Sequence, residues 1–470
     1  MSKLESGGLP KGWRYSTLGK SCNILAGFGF PERLQGKAAG DFPFFKVGDI
    51  SEAWKRGDVH LSKAHHYLSR EEAAEIRARP LPKNTTVFAK IGAAIALNRR
   101  AILSEPALVD NNVMGLHPAT EALDHKFLFH FICTVKLDEL SRATTVPSVR
   151  KSDIEQIEIP LPPLPEQRRI VAEIEKQFSR LDEGVAALKR AQANLKRYRA
   201  VVLKAACEGK LVPTETEIQK SAGKGQVEFE NGEQLLKRIL AERRKNWTGR
   251  GKYKEPVAPD TTSLPSLPDG WTYVSVETVG FVQLGRQRAP KHHIGANMHP
   301  YLRVANVYED RIDLCDVKEM NFTPEEFDNF HLKPNDILLN EGQSLELVGR
   351  PALYRGELPG ACFTNTLVRF RPCPSLDVKF ALSVFRAFMH SGRFQKIANW
   401  TTNIAHLGAD RFAKLAFPLP PLAEQTRIVA EVERRLSVID ELESVVSANL
   451  QRAGRLRQAV LQKAFTGALC

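Results

Sequence analysis

The spacing of apolar residues divides the chain into two kinds of segment, and each kind occurs twice. Before residue 160, short β-rich runs such as FPFFKVGDI and NTTVFAKIG lie among helical segments such as SREEAAEIRAR. The runs PYLRVANVY and FTNTLVRFRP follow the same plan before residue 418. Alternation of short strands and helices of this kind is typical of α+β domains. The sequence therefore predicts two similar α+β domains.

A proline-free stretch follows each predicted domain, at residues 166–208 and 424–466. Apolar residues recur there at alternating intervals of three and four, which predicts one continuous helix of ~65 Å at ~1.5 Å per residue. The apolar positions of the first stretch are Ile174, Phe178, Leu181, Val185, Leu188, Leu195 and Val202. Those of the second are Val432, Leu436, Ile439, Leu442, Val446, Leu450, Ala453 and Val460. A long helix with one narrow apolar stripe needs a partner, so we expect the two helices to pair.

The charges of the two predicted helices favour an antiparallel pair. In each helix the N-terminal half is net acidic and the C-terminal half is net basic. Antiparallel packing places each acidic half beside a basic half. The same gradients also complement the dipole of each helix, and this alternative explanation stays open at this stage.

The two halves of the chain are an internal duplication. The segment LPPLPEQRRIVAEIE at 161–175 returns as LPPLAEQTRIVAEVE at 419–433, an offset of 258 residues. The same offset pairs LPKGWRY at 9–15 with LPDGWTY at 267–273. Each repeat thus begins at an LPxGW motif and ends, after its long helix, at a Gly-x-Leu motif.

These patterns predict five segments along the chain. They are a first globular domain at 1–160, a first helical region at 161–211, a linker with a short helix at 212–266, a second globular domain at 267–418 and a second helical region at 419–470. The linker contains the helical pattern GEQLLKRILAERRKNW and a basic, proline-punctuated stretch.

Composition limits the class of protein. The chain has 67 basic and 54 acidic side chains, and its net charge of +13 is consistent with a polyanionic partner. Its seven cysteines are scattered and never spaced as CxxC, so we expect neither a disulfide framework nor a zinc site. No apolar run approaches ~18 residues and no leader pattern opens the sequence, so we expect a cytoplasmic protein.

Motifs that resemble catalytic or cofactor sites fail when their residues are compared with what the chemistry needs. LAGFG at 25–29 resembles a glycine-rich cofactor turn, but Pro31 follows where the helix should begin. GKS at 19–21 lacks the upstream glycine of a phosphate-binding loop. The histidine pairs at 65–66 and 292–293 are adjacent rather than at metal-ligand spacing. We therefore expect no catalytic, cofactor-binding or metal-binding residues in this chain.

Two copies of LPPLxEQxRIVAExE, each running into a long helix and preceded by an LPxGW-led domain, resemble the specificity subunit of a type I restriction-modification enzyme. The resemblance covers essentially the whole chain. It implies target-recognition domains at 1–160 and 267–418, each binding one half of a bipartite, asymmetric DNA site. It also implies that the two helices form an antiparallel coiled coil between the domains, in a pseudo-twofold internal repeat, and set the distance between the half-sites.

The same resemblance implies that partner subunits carry the chemistry. Two methyltransferase subunits and restriction or translocase subunits would dock on this chain, which would bind double-stranded DNA and have no membrane partner. S-adenosylmethionine, ATP and Mg would belong to those partners. The chain itself would be a non-catalytic scaffold that holds no cofactor.

Basic and amide side chains in the turn-rich loops are the candidates for DNA contact, because arginine suits guanine, and asparagine or glutamine suits adenine, in the major groove. In the first domain the candidates are Lys37, Lys46, Lys90, Asn98, Arg99, Arg100 and Thr145. In the second domain they are Arg286, Arg288, Lys291, His292, Arg303, Asn306, Gln343 and Ser344. The alternative for each is an ordinary solvated loop residue.

The proline-EQ box of each repeat is predicted as a strand-to-helix junction with an acidic helix start. Its functional interpretation is a methyltransferase-docking and scaffold surface. The residues of this surface are Leu161, Pro162, Pro163, Glu166, Gln167, Leu419, Pro420, Pro421, Glu424 and Gln425.

Two other classes of protein stay open on the sequence alone. A self-contained restriction-methylation enzyme or solitary methyltransferase would need the catalytic motifs that are missing, and a methylation assay of the purified chain separates it. A coiled-coil adaptor that never touches DNA would need only the helices. A mobility shift with mixed duplexes separates that class.

Overall fold

The computed structural model describes residues 9–141, 147–222, 229–247, 251–401 and 403–469. It divides into two compact units. Unit 1 comprises Met1–Lys189 together with Ser447–Cys470, and unit 2 comprises Arg190–Val446. Each unit therefore contains one globular domain with one half of each long helix.

The domain of unit 1 is built on a five-stranded sheet and a smaller three-stranded sheet. In sheet order, the larger one consists of Cys22–Ala26, Val113–Pro118, Thr86–Ala89, Arg100–Leu103 and His60–Leu61. The smaller one consists of His66–Leu68, Phe42–Phe45 and Leu108–Val109. The α-helices of this domain are Leu18–Ser21, Val47–Arg56, Arg70–Glu75, His125–Ile132 and Lys151–Glu155.

Unit 2 repeats the order of the first four strands of the larger sheet and of the three-stranded sheet, with different loops. Its largest sheet consists of Gly280–Leu284, Leu367–Pro372, Ile337–Asn340 and Pro351–Leu353. Its two three-stranded sheets are Lys318–Asn321 with Met298–Leu302 and Cys362–Phe363, and Gly342–Gln343 with Ala405–His406 and Asn399–Trp400. A small hairpin pairs Val307–Tyr308 with Arg311–Ile312. The α-helices of its domain are Val276–Val279, Pro324–Phe330, Val378–His390, Arg393–Ile397 and Ala409–Ala413.

The LPxGW motif and the proline-EQ box of each repeat meet in an antiparallel strand pair. Arg14–Thr17 pairs with Glu158–Leu161 in unit 1. Thr272–Ser275 pairs with Ala416–Leu419 in unit 2 in the equivalent register. The pairing brings the start of each repeat to the start of its long helix, although some 145 residues separate them in sequence.

The two long helices are Leu164–Cys207 and Leu422–Phe465, each 44 residues long. They begin two residues earlier, and end one residue earlier, than the apolar pattern predicts. Each ends at a glycine with a positive φ, +64° at Gly209 and +76° at Gly467. This left-handed conformation lets the amide of the next residue bond a carbonyl five residues back, as Lys210 does with Ala205 at 2.9 Å. The Gly-x-Leu motif of each repeat is therefore a helix C-terminal cap.

In unit 1 the start of the first long helix lies beside the end of the second. Ile170 and Ile174 share a buried core with Leu461 and Phe465. Further along, the Arg457 guanidinium donates to the Asp182 carboxylate at 3.1 Å. The helix halves in this unit are antiparallel, as the charge pattern predicts.

In unit 2 the end of the first long helix lies beside the start of the second, and the two segments again run antiparallel. Leu203 near the end of the first long helix shares a core with Leu436 and Ile439 of the second. Arg199, which is equivalent to Arg457, pairs with Asp440 and donates to Glu443 at 2.9 Å. Most predicted stripe positions are buried or half-buried, while Leu442 is exposed.

The segment predicted as a linker is partly folded into unit 2. It forms two helices, Glu215–Ala222 and Gly232–Lys245, of which the sequence pattern predicts only the second. Leu235 and Ile239 are fully buried in the same core as Trp271. The first helix is short and polar, so its apolar pattern is too weak to reveal it.

Among the described residues, no helix combines the length and the apolar composition that crossing a bilayer requires. The same residues contain no group of three or more histidine, cysteine, aspartate or glutamate side chains that could hold a metal ion.

The two equivalent arginines of the long helices provide a matched test of packing. We predict a coupling free energy of about 1 kcal/mol for the Arg199/Glu443 pair and of about 0–0.5 kcal/mol for the Arg457/Asp182 pair. The reason is that the Arg199 side chain is largely buried while both partners of the second pair are exposed. Double-mutant cycles with alanine, followed by urea unfolding of the full chain, measure both values. Equal coupling in the two pairs would contradict this reasoning.

Candidate nucleic-acid interface

A turn at Thr364–Thr366 organises the loops of unit 2. The amide of Arg286 donates to the Phe363 carbonyl at 3.1 Å, and the amide of Asn365 donates back to the Arg286 carbonyl at 3.0 Å. The amide of Glu341 donates to the Thr366 carbonyl at 2.9 Å. The loops that contain Arg286 and Glu341 therefore both begin at this turn, and a third loop joins it through Val304.

These three loops carry the residues that the sequence singles out in the second domain. The loop after Gly280–Leu284 holds Arg286 to His292, and the loop after Ile337–Asn340 holds Gln343 and Ser344. The third loop follows Met298–Leu302, and its Val304 amide donates to the Thr366 hydroxyl at 3.1 Å. The structure thus brings together residues that are far apart in sequence.

Arg286 lies inside this loop cluster rather than on its surface. It is 7% exposed, and its guanidinium makes a two-pronged ion pair with Glu326 at 2.8 Å. It also donates to the Asn321 carbonyl at 2.7 Å and lies against the Phe322 ring. His292 contacts the same guanidinium at 3.1 Å. Burial and this neighbouring positive charge lower the pKa of His292.

Arg303 and Asn306 also hold the loop together. The Asn306 side chain is buried, accepts from the Arg303 amide at 3.1 Å and donates to the carbonyls of Asp313 and Asp316. The Arg303 guanidinium pairs with Asp316. These contacts place Arg286, Asn306 and the Arg303 head group in the framework, and direct DNA contact by them would require rearrangement.

Other predicted residues of unit 2 remain accessible. Arg288 and Lys291 are exposed, and Gln343 and Ser344 are half-buried at the end of a short strand. The sequence analysis misses the neighbouring hairpin of Asn399–Trp400 and Ala405–His406, which pairs with that strand. Trp400 in this hairpin is 56% exposed, although large aromatic side chains usually lie inside. The two strands of this hairpin are only two residues long, so no local pattern in the sequence indicates them.

Unit 1 has the equivalent turn at Asp110–Asn112. The amide of Asp110 donates to the Phe45 carbonyl at 3.0 Å, and the amide of Lys90 donates to the Asn112 carbonyl at 2.8 Å. Lys46, directly after Phe45, and Lys90 therefore both lie at this turn. The Lys46 amine donates to the Gln35 side chain at 2.6 Å and lies 5.1 Å from the Phe30 ring centre. Lys37 is exposed and pairs with Glu72.

The remaining candidates of the first domain divide into framework and surface. Arg100 is fully buried and donates to the carbonyls of Asn98 and Val135. The Asn98 side chain accepts from the Leu137 amide at 3.0 Å. Both residues hold this loop in place, which makes them poor candidates for direct DNA contact, while Arg99 is half-buried. Thr145 lies outside the described residues.

The proline-EQ box is mostly interior. The side-chain carboxamide of Gln167 accepts from the backbone amide of Asp124 and donates to the backbone carbonyls of Ala122 and Pro162, all at 2.8–2.9 Å. In unit 2 the side-chain carboxamide of Gln425 accepts from the backbone amide of Asp377 at 2.9 Å and donates to the Pro420 carbonyl at 3.0 Å.

Exposure separates the predicted docking residues into two groups. Those that are buried, and that make no docking surface in the structure as it stands, are Leu161, Pro162, Gln167, Leu419, Pro420, Pro421, Glu424 and Gln425. Pro163 is exposed and Glu166 is partly exposed. The surface part of the box therefore lies in unit 1.

A model of the family described as "Type I restriction modification DNA specificity domain" matches residues 10–194 and 268–450, one match in each repeat. The chain belongs to this family. The two matches share one strand order in the structure, so the family's domain is present twice.

Curated members of the specificity-domain family are similar to this chain at low identity. The chain is 24% identical to the EcoKI specificity subunit of Escherichia coli strain K12, over 73% of this chain and 65% of that protein. It is 25% identical to the StySPI specificity subunit of Salmonella potsdam, over 71% of this chain and 62% of that protein. The matched region thus spans just under two thirds of the length of these relatives.

Two solved structures share the fold of this specificity-domain chain. A chain from a study of complex assembly and conformational transition in the type I R-M system has a TM-score of 0.66 at 20% identity, covering 98% of this chain and 100% of that one. The HsdS subunit of Thermoanaerobacter tengcongensis has a TM-score of 0.51 at 20% identity, covering 99% of both chains. These matches confirm the predicted α+β class with two similar domains and two long helices.

Arg286 and Arg288 form a matched pair for separating framework from surface. We predict that Arg286→Ala lowers the free energy of unfolding of the full chain by about 3 kcal/mol, because it leaves the Glu326 carboxylate without its buried partner. Arg288→Ala should change this free energy by no more than about 0.5 kcal/mol. Urea unfolding measures both. A neutral Arg286→Ala would show that the buried ion pair is not part of the framework.

Proposed function

We propose that this chain is the DNA-recognition subunit of a type I restriction-modification complex. Each unit reads one half of a bipartite, asymmetric site on double-stranded DNA, and the pair of long helices sets the distance between the halves. The observation that carries this proposal is one framework built twice with different residues on its central turn. The sequence there is Asp110–Asn112 in unit 1 and Thr364–Thr366 in unit 2.

The equivalent loops differ in the chemistry that base recognition uses. Lys46 in unit 1 follows the same strand as Arg303 in unit 2, and the sheet position of Phe28 is that of Arg286. The framework hydrogen bonds persist despite these changes. A duplicated framework with divergent polar loops suits a reader of two unlike sequences, because base edges are distinguished by side chains while the backbone is only positioned.

The accessible side chains of unit 2 suit contact with nucleic acid. Arg288 and Lys291 carry positive charge for phosphates or guanine, and the Gln343 amide matches adenine in the major groove. The exposed Trp400 ring offers a surface on which a base or sugar can pack. The buried arginines of the same unit hold the loops and leave the readout to these residues.

Partner subunits complete the proposed activity. Two methyltransferase subunits and restriction or translocase subunits dock on this chain, and they hold the S-adenosylmethionine, ATP and Mg. The chain itself is non-catalytic. Support comes from its membership of the specificity-domain family and from relatives named as specificity subunits of type I restriction enzymes. Methyl transfer to DNA by the isolated, purified chain would contradict this part of the proposal.

Selection from random duplexes tests the reading of two half-sites. We expect the chain, mixed with its methyltransferase partner, to enrich duplexes with two unlike sequence blocks separated by a gap of fixed length. Arg288→Ala, Gln343→Ala or Trp400→Ala should weaken discrimination in one block only, by about 1–3 kcal/mol at single positions, because all three lie in unit 2.

The control is Arg434→Ala, which removes an exposed positive charge from a long helix. It should leave both blocks unchanged. A single enriched block, or equal loss in both blocks for the unit 2 variants, would contradict the assignment of one half-site to each unit.

A further inference from the structure

The start of the second long helix is covered by another segment of its own unit. Glu424, in the first turn of this helix, is 1% exposed. One carboxylate oxygen accepts from the Trp271 indole at 2.9 Å, and the other accepts from the backbone amide of Glu215 at 3.1 Å. Both hydrogen-bonding oxygens of this buried carboxylate are therefore satisfied inside unit 2.

The covering segment is Pro213–Glu217, which begins a helix. Thr214 caps that helix, because its hydroxyl accepts from the Glu217 amide at 3.2 Å while its own amide donates to the Glu217 carboxylate at 2.8 Å. Arg427, one turn along the second long helix, pairs with the Glu215 carboxylate and donates to the Pro213 carbonyl at 3.3 Å. The start of the covering helix thus binds the long helix at two residues. Its backbone amide donates to Glu424, and its acidic side chain and proline carbonyl bind Arg427.

Unit 1 contains the same receiving residues. The offset of the duplication places Trp13, Glu166 and Arg169 at the positions of Trp271, Glu424 and Arg427. The surrounding backbone is also the same, since Gly467 lies close to Pro10 just as Gly209 lies close to Pro268.

In unit 1 this face is uncovered within the part of the chain that the structure describes. Trp13 is 8% exposed, yet none of the described residues places a hydrogen-bond partner within reach of its buried indole nitrogen. The Glu166 side chain is 28% exposed and has Arg169 as its ion-pair partner at 3.6 Å. A buried indole N–H without an acceptor is costly, because it has lost its hydrogen bond to water.

The space above the face differs in the same way. A side-chain carbon placed on Gly270 would meet the Thr216 hydroxyl at 3.1 Å, whereas one placed on Gly12 would meet no atom of the described residues within 4 Å. Pro163 is exposed while its counterpart Pro421 is buried. Unit 1 thus retains the receiving residues and the room for a covering segment.

We propose that the face formed by Gly12, Trp13, Pro163, Glu166 and Arg169 binds a segment of a partner protein that enters a helix through a proline and a capping threonine or serine. The helix N-terminal amide donates to Glu166, and Trp13 donates to the same carboxylate. An acidic side chain in the first helical turn pairs with Arg169. The binding partner is a separate polypeptide, because the chain's own segment with this chemistry already covers the equivalent face in unit 2.

This inference does not depend on DNA reading, and the full-length chain tests it without DNA. The probe is a synthetic peptide with the sequence of residues 208–222, EGKLVPTETEIQKSA, in capped form. The readout is the set of ¹⁵N–¹H signals of the five tryptophan indoles, in which Trp13→Phe identifies the Trp13 signal. We expect saturable movement of the Trp13 signal while the Trp271 signal stays in place and reports that unit 2 is intact.

Surface variants keep the test decisive if Trp13→Phe fails to fold. Glu166→Ala should weaken peptide binding by about tenfold or more, because a hydrogen bond to a charged group contributes roughly 1.5–3 kcal/mol. Arg169→Glu should weaken it similarly, and a peptide with Glu215→Lys should restore binding to that variant. Arg180→Glu, at an exposed position of the same helix, is the matched control and should bind the original peptide normally.

Three outcomes overturn the proposal. One is the absence of saturable movement of the Trp13 signal, and another is binding that neither Glu166→Ala nor Arg169→Glu alters. The third is movement of the Trp13 signal with protein concentration alone, which would assign the face to a second copy of this chain.

Discussion

A buried carboxamide in the first turn of each long helix fixes the helix to its domain. In unit 1 the Gln167 side chain bonds the amide of Asp124, the residue that caps helix His125–Ile132, and the carbonyl that precedes its own helix. Gln425 makes the equivalent pair of contacts with Asp377 and Pro420. One side-chain carboxamide thus satisfies backbone polar groups at the junction of two helices and a strand. A buried polar group without a hydrogen bond there would destabilise the fold. The direction in which each long helix leaves its domain depends on this junction.

The loop clusters use their charged residues mainly to build structure. The side chains of Arg286, Arg100 and Asn306 are occupied by internal bonds, and these bonds hold their loops in place. The side chains left at the surface are therefore presented on a rigid framework. This division explains how two domains with similar strand order can carry different polar surfaces, which the proposed reading of two unlike half-sites requires.

The features that could be predicted from the sequence are those that produce a local periodic pattern or a repeated segment. The helices at Leu164–Cys207 and Leu422–Phe465 follow from an apolar pattern longer than most helices provide, and the duplication follows from its constant offset. The distinction between Arg286 and Arg288 could not be predicted, because it depends on Glu326, some 40 residues away.

The other features that the sequence does not predict depend on contacts between residues far apart in the chain. Glu166 and Glu424 occupy equivalent positions of the two boxes, but among the described residues only Glu424 is covered. The covering residue, Glu215, belongs to a segment whose helix has little apolar pattern. The hairpin that carries Trp400 consists of two-residue strands, too short for a reliable alternating pattern. Its place beside Gln343 depends on strand pairing that no local signal records.

The most direct test of the proposed function is the spacing between half-sites in a chain with shortened helices. Equivalent contacts, Asp182 with Arg457 inside unit 1 and Arg199 with Asp440 inside unit 2, have the same register, and residues 186–192 and 447–453 are the matched heptads in that register. Deleting both heptads keeps that register and removes ~10 Å of helix. At ~3.4 Å per base pair, selected duplexes should then have half-sites ~3 base pairs closer, with the rotation of about a third of a turn opposing part of that change. If the matched deletion folds, assembles with its methyltransferase and still selects the original spacing, the helices do not set the distance.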